Sequence, residues 1–228
     1  MEYTFVLLSG GVGTRMNNSI PKQYMLLAGK PMIMHILEKV ELLDEVKRII
    51  IVCADEYRSS INLMLEQYGI RKAVDYATSG NSRQASVLSG LRMVKTDNVI
   101  IHEAARPFVT VEDYQELISA DNANTMIGLD IPFTVLKGHD NVEGLLERSE
   151  LVNVQLPQKF DTQQLLDAHI KAESEGKVFT EDASLLYYYN PDKKIQIIKG
   201  KDYNIKITTR MDMLTGEIIY DEVFRRRK

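Results

Sequence analysis

One cysteine, Cys53, and no tryptophan occur among the 228 residues. A lone cysteine excludes an intrachain disulfide and a multi-cysteine metal site. It falls in the strand-like run "RIIIVCADE" and reads as a small buried hydrophobe rather than a nucleophile. No apolar run is long enough to span a bilayer, and the N-terminus has no basic stretch leading into an apolar one. A soluble, cytoplasmic protein with no membrane partner is expected. Positive charge is not in excess either. The formal net charge is −4, so no global basic field favours nucleic acid, and the terminal "FRRRK" reads as a solvated or frayed tail. An anionic ligand would have to be held by a local cluster of cations. Internal repeats and low-complexity tracts are also missing.

What is present is an ordinary globular composition, 44% apolar, enough for a sizeable core in a single domain. Strand-like runs alternate with helix-like stretches: "YTFVLL", "PMIMHILEKVELL", "VKRIIIVCA", "YRSSINLMLEQYGI", "KAVDYATSG", "SRQASVLSGLRMV" and "DNVIIHEA". Continuous apolar strands between amphipathic helices predict an α/β fold, a three-layer Rossmann-like arrangement with a mostly parallel sheet covered on both faces. Ligands of such folds bind beyond the carboxyl ends of the strands. "SGGVGTR", "TSGNSR" and "HEAARP" all fall at such ends. The stretch from Thr125 to Phe160 is broken by turn signals at Gly138, His139, Asp140 and Asn141, and reads as a hairpin or protruding β-arm. A helix over 161–176 then returns the chain, with Asp161 as N-cap and Gly176 as stop.

The loop after the first strand carries Gly10, Gly11 and Gly13, then Arg15 and Lys22. Glycines there let backbone N–H groups approach phosphate oxygens closely. A dinucleotide fingerprint requires a third glycine that is absent after Gly13, and no G-K-[ST] follows for a Walker A loop. Arg15 offers a planar fork of donors and Lys22 a point charge. Together they suit a triphosphate and charge growing on a phosphorus under attack. A tight strand–helix turn with two solvated cations is the plainer alternative.

"SGGVGTRMNNSIPKQY" resembles the signature of the nucleotidyltransferase family that includes the 2-C-methyl-D-erythritol 4-phosphate and ribitol 5-phosphate cytidylyltransferases. The resemblance continues in order through "SGNSRQASVLSGL", "HEAARPFV", "LPQKF", "TEDASLL" and "NIKITT", almost the whole chain. It implies residues 1–228 as one nucleotidyltransferase domain, with residues 133–158 as an arm for dimerisation. It also implies CTP phosphates wrapped by Leu8, Ser9, Gly10, Gly11 and Gly13, and cytosine read by Gly80, Asn81, Arg83 and Ser86, with Ala104 completing the nucleotide site. Arg15, Lys22 and Lys206 match the cations that stabilise the transition state. Lys206 would lie on a strand, facing away from Ile205 and Ile207. Glu103 stands where the family has an aspartate that helps hold Mg²⁺ and the acceptor. Arg106 matches a residue that braces its loop or meets the acceptor, while His102 reads as a packing residue. Arg148 matches the arm arginine that reaches the acceptor phosphate in a partner subunit, which implies a homodimer. Thr180, Glu181 and Asp182 resemble a segment ordering the site wall, Thr180 towards the acceptor.

Three departures cluster on the acceptor side: Glu103 for aspartate, Leu156 where threonine is usual before Pro157-Gln158, and no Asp-Thr pair before Lys137. Each lost polar contact to a hydroxyl-rich acceptor is worth about 1–3 kcal/mol. The implied reaction joins CMP from CTP to a polyol or sugar phosphate, 2-C-methyl-D-erythritol 4-phosphate first, ribitol 5-phosphate or another polyol phosphate second. A transferase using UTP, GTP or dTTP and a non-catalytic nucleotide-binding module are the remaining alternatives.

Overall fold

The computed structural model describes residues 1–11 and 20–226. The first half runs β1 (Tyr3–Leu8), a 3-10 turn (Lys22–Tyr24), β2 (Leu26–Leu27), β3 (Lys30–Pro31), α1 (Met32–Glu41), β4 (Val46–Cys53) and α2 (Arg58–Gln67). β5 (Ala73–Thr78), α3 (Arg83–Leu91), β6 (Asn98–Glu103), α4 (Val111–Ser119) and β7 (Thr125–Asp130) follow. The remainder is β8 (Leu136–Gly138), β9 (Val142–Leu145), β10 (Val152–Asp161), α5 (Thr162–Ser174), α6 (Asp182–Tyr189), β11 (Gln196–Lys199) and α7 (Arg210–Tyr220).

Seven strands form one sheet in the order β11-β7-β10-β6-β1-β4-β5. Neighbours pair in parallel except around β10, which runs antiparallel to both β6 and β7. Side chains alternate across a strand, so a run apolar at every position must be covered on both faces. Phe5 and Leu7 of β1, Ile49 and Ile51 of β4 and Ile100 of β6 pack in one core with α1, α2 and α4. Val6, Ile50, Val52, Val99 and Ile101 turn to the other face, against α3, α5 and α6. That is the three-layer architecture the alternating runs predict. Cys53 is fully buried, as expected of a small hydrophobe.

Local signals set the ends of the elements. Asp161 accepts the Gln164 N–H at 2.9 Å at the start of α5, and Gly176 takes φ +65 just after its end. The arm is shorter than residues 133–158. β8 and β9 form a separate hairpin that turns over 139–141, with exposed Leu136, Val142 and Leu145. Val152–Asp161 is instead the interior strand β10, whose bulge between Gln155 and Gln158 accommodates Pro157. Proline in a run normally argues against a central strand, and the bulge is what admits it.

Two other sequence expectations change. Residues 204–208 do not form a sheet strand; they cross the sheet edge as irregular chain, anchored by Ile207 N–H to Ala105 O at 2.8 Å. The alternation survives without the strand, because Ile207 is buried while Lys206 faces the cavity described below. The C-terminal segment is also not simply frayed as far as Arg226. Phe224 stacks on Tyr220, with ring centroids 5.5 Å apart, and lies under Lys39 Nζ at 4.5 Å.

Candidate active site

The registers Leu8↔Glu103, Leu8↔Val52 and Cys53↔Thr78 show that β1, β4, β5 and β6 end at one sheet edge. Three loops leave there and enclose a cavity of about 580 Å³. The first loop follows β1. Ser9 N–H is fixed to Val52 O at 2.8 Å, and a side chain on Gly10 would run into Ser79 Cβ of the second loop. Here glycine is required by close approach of two loops as well as by any ligand. Gln23, only 3% exposed, donates through Nε2 to Ser9 O at 2.6 Å and Gly11 O at 3.0 Å. One buried amide thus fixes the carbonyls of the glycine strip. Lys22, next to it on the 3-10 turn, lines the cavity.

The second loop links β5 to α3. Ser82 caps α3 by accepting the Ala85 N–H at 3.0 Å. Ser86 donates to Ser82 O at 2.9 Å and accepts Gly80 N–H at 3.1 Å. Ser86 lines the cavity, yet its hydroxyl proton is spent on holding the loop. Asn81 is exposed at the cavity wall.

The third loop follows β6, with Ala104 N–H bonded to Leu8 O at 2.9 Å. Glu103 stands at the strand end, nearly buried, and two cations hold it. Arg83 Nε donates to its Oε1 at 2.8 Å, and Lys206 Nζ lies 2.6 Å from its Oε2. Burial alone would raise its pKa; the adjacent Lys206 and Arg83 outweigh that and bring it down to about 2. Arg83 also donates through Nη2 to Asp182 Oδ2 at 2.7 Å. Its guanidinium therefore bridges two carboxylates, a bond pattern that a base-reading arginine would not have to satisfy.

Of the sequence-derived candidates, the structure brings Leu8, Ser9, Gly10, Gly11, Lys22, Gly80, Asn81, Arg83, Ser86, Glu103, Ala104 and Lys206 to this one cavity. Gly13 and Arg15 lie outside the described residues. Arg106 is not part of the lining. It donates to Asn204 O at 2.9 Å and so ties the third loop to the segment carrying Lys206. His102, fully buried, bonds Arg106 O at 3.0 Å, and burial lowers its pKa to about 3, as suits a packing residue. Thr180 is exposed and away from the lining. Arg148 sits at the root of the arm, donating to Pro132 O at 3.1 Å beside a separate cavity of about 350 Å³.

Sequence reasoning passes over Gln23, Ser79, Ser82, Thr208 and His169. Gln23 follows Lys22 directly, and the capping pattern of a serine three residues before Ala85 is readable. Nothing local marks His169, whose Nε2 donates to Asp182 Oδ1 at 3.1 Å deep in the α5–α6 layer.

Known proteins are similar to this chain in sequence and in fold. The profile of the 2-C-methyl-D-erythritol 4-phosphate cytidylyltransferase family matches residues 4–222. A relative of that name from Bacillus cytotoxicus is 35% identical, over 94% of this chain and 96% of its own length. One from Halalkalibacterium halodurans is 34% identical over 99% of this chain and 100% of its own. Among solved structures, 4-diphosphocytidyl-2C-methyl-D-erythritol synthase from Anaerococcus prevotii superposes with TM-score 0.85 at 24% identity, covering 95% of each chain. The cytidylyltransferase from Thermus thermophilus gives TM-score 0.75 at 21% identity, covering 96% of this chain and 98% of its own. These last two establish a common fold. With the profile spanning nearly the whole sequence and relatives above 30% identity over nearly their full length, the chain belongs to the 2-C-methyl-D-erythritol 4-phosphate cytidylyltransferase family.

Proposed function

We propose that this chain transfers CMP from CTP to 2-C-methyl-D-erythritol 4-phosphate, releasing pyrophosphate. The observation that carries the reading is the meeting of Lys22, Lys206 and Glu103 with the strip of residues 9–11 in one cavity at the sheet edge. An acceptor phosphate oxygen attacks the α-phosphorus of CTP. The new P–O bond forms as the bond to the β-phosphate bridging oxygen breaks, and pyrophosphate carries away the electron pair. A phosphate is already ionised near neutral pH, so the protein supplies no nucleophile and no general base. Its contribution is alignment by the glycine strip and charge stabilisation by Lys22, Lys206 and Arg15.

A divalent metal fits the donor set. Among the described residues no three His, Cys, Asp or Glu side chains gather to form a protein cage. Mg²⁺ takes one or two carboxylates together with substrate phosphates. Glu103 faces the cavity, and its Oε2 is buried with an ion-pair partner but no directed hydrogen bond. Glu103 and the triphosphate oxygens would hold the ion, which neutralises phosphate charge when bound.

Exposed apolar Leu136, Val142 and Leu145 on the arm, with Phe133 just before it, support homodimerisation through the arm. Arg148 at its root would then meet the acceptor phosphate of the partner's site. No helix among the described residues is long and apolar enough to cross a membrane. The proposed reaction places the enzyme in the cytoplasm, acting on small molecules.

A second acceptor, ribitol 5-phosphate or a related polyol phosphate, is favoured by one feature. Glu103, a methylene longer than the usual aspartate, lines the cavity, whereas Leu156, in place of the usual threonine, is buried in the core between the sheet and α5 and does not. Incubation with each of CTP, UTP, GTP and dTTP against a panel of polyol phosphates, with pyrophosphate as readout, tests both acceptors. The expected result is release with CTP and methylerythritol phosphate above all others. Preference for ribitol phosphate would select the second reading, and no release on any pair would leave a binding module.

A further inference from the structure

We infer that Asp182 is a positioning residue for this site, acting through Arg83 to set where Glu103 and Lys206 stand. The inference rests on the proposed reaction and concerns a residue that does not line the cavity. Asp182 opens α6 and is 1% exposed. A carboxylate so deeply buried survives ionised only with partners, and it has two on opposite oxygens. His169, fully buried on α5, donates from Nε2 to Oδ1, and Arg83 donates from Nη2 to Oδ2. Because an ionised carboxylate only accepts, the histidine must carry its proton on Nε2. That bond fixes the rotation of the carboxylate and leaves Oδ2 aimed at Arg83.

Arg83 is planar, and two neighbouring donors are taken by different acids: Nη2 by Asp182 and Nε by Glu103. Two anchors on separate acids fix the plane of a guanidinium, where one would leave it free to turn. Glu103 in turn places its second oxygen against Lys206. The result is a row of alternating charge, Asp182–Arg83–Glu103–Lys206, running from the α5–α6 layer to the cavity. If Asp182 is neutralised, Arg83 can offer both donors to Glu103 as a bidentate pair. Glu103 then draws away from Lys206, and the ammonium loses its place.

The test compares Asp182→Asn, Arg83→Gln and the double variant for pyrophosphate release from CTP, with thermal unfolding of each. Asp182→Asn should lower kcat/KM by about tenfold or more, the scale seen when outer partners of a site are removed. In the Arg83→Gln background the same change should cost nothing further, because the residue it acts through is gone. Wild-type turnover by Asp182→Asn, or losses that multiply in full in the double variant, would overturn the inference. A second measurement needs no variant to fold and no turnover: the Arg83 Nη2–H resonances of the wild-type protein, on the nitrogen that donates to Asp182. Slow exchange with water supports the anchored guanidinium, and exchange at the rate of a free arginine overturns it. Absence of CTP turnover by the wild type would sink the proposed reaction alone, with the Arg83 resonance still deciding the role of Asp182.

Discussion

At the residue scale, the site is a set of cations and one strand-end carboxylate whose spacing is held by bonds within the protein. Lys22 has no backbone duty in its 3-10 turn that alanine would not meet, so Lys22→Ala should leave the fold intact. Turnover should drop by about 10²–10³-fold, the usual cost of removing a group aimed at developing charge. Near-normal turnover in a pyrophosphate assay would count against the role. Glu103→Gln tests a different property, because Lys206 loses this counter-charge and Arg83 one of its two. A fully buried pair broken this way costs about 3–5 kcal/mol. Lys206 is 38% exposed at its side chain, and solvent reduces the penalty to about 1–3 kcal/mol. Urea unfolding measures that loss, and an unchanged midpoint would show that the pairs contribute nothing to the fold.

Elements bring these residues together through caps and close contacts. Thr110 and Asp113 form a reciprocal capping box at the start of α4, with the Asp113 N–H reaching Thr110 Oγ1 at 3.1 Å. Thr110→Ala should cost about 1 kcal/mol by the loss of that cap. Gly90 on α3 lies against the sheet, where an added Cβ would stand 2.7 Å from Val6 Cγ1 and 3.0 Å from Val52 Cγ2. Alanine gains about 1 kcal/mol of helix propensity, but forcing α3 off the sheet costs about 1–3 kcal/mol. A lower melting temperature is therefore expected for Gly90→Ala; a higher one would mean that β1 and β4 yield easily. The strand pattern of the first half was readable because both faces are covered and β1, β4 and β6 each carry an unbroken apolar run. β10 was not, since its proline and bulge break the pattern that a central strand normally keeps.

Over the whole molecule, burial of titratable groups sets how stability responds to acid. Burial lowers His35 to about 4 and His102 to about 3, from an ordinary 6.5. The unfolded chain takes up protons at both positions as pH falls below 6.5, and the fold does not, so stability declines through that range. Glu103 and Asp182 add to the decline. Burial would raise both, but Lys206 and Arg83 around Glu103, and Arg83 with His169 around Asp182, bring each below its ordinary value. Their contribution is complete above an ordinary carboxylate pKa and is lost as pH falls towards the folded values. Denaturant midpoints measured from neutral pH to about pH 4 should fall steadily; a flat profile would show that these groups titrate normally. The arm belongs to this scale as well. Leu145→Lys, at an exposed apolar position of β9, should shift sedimentation towards monomer at a given concentration.

The alternation of apolar strands and amphipathic helices was determined by the sequence alone, because covering both faces of a parallel sheet demands it locally at each residue. So was the placing of the glycine strip and Lys22 in one loop after β1, where the chemistry is local. Tertiary structure alone decided what Arg83 and Ser86 bind, that Arg106 braces rather than lines the cavity, and that β10 enters the sheet. The physical reason is separation along the chain. Arg83, Glu103, Asp182 and Lys206 are far apart in sequence, and ion pairs among them exist only once three layers have packed and brought their elements to one edge.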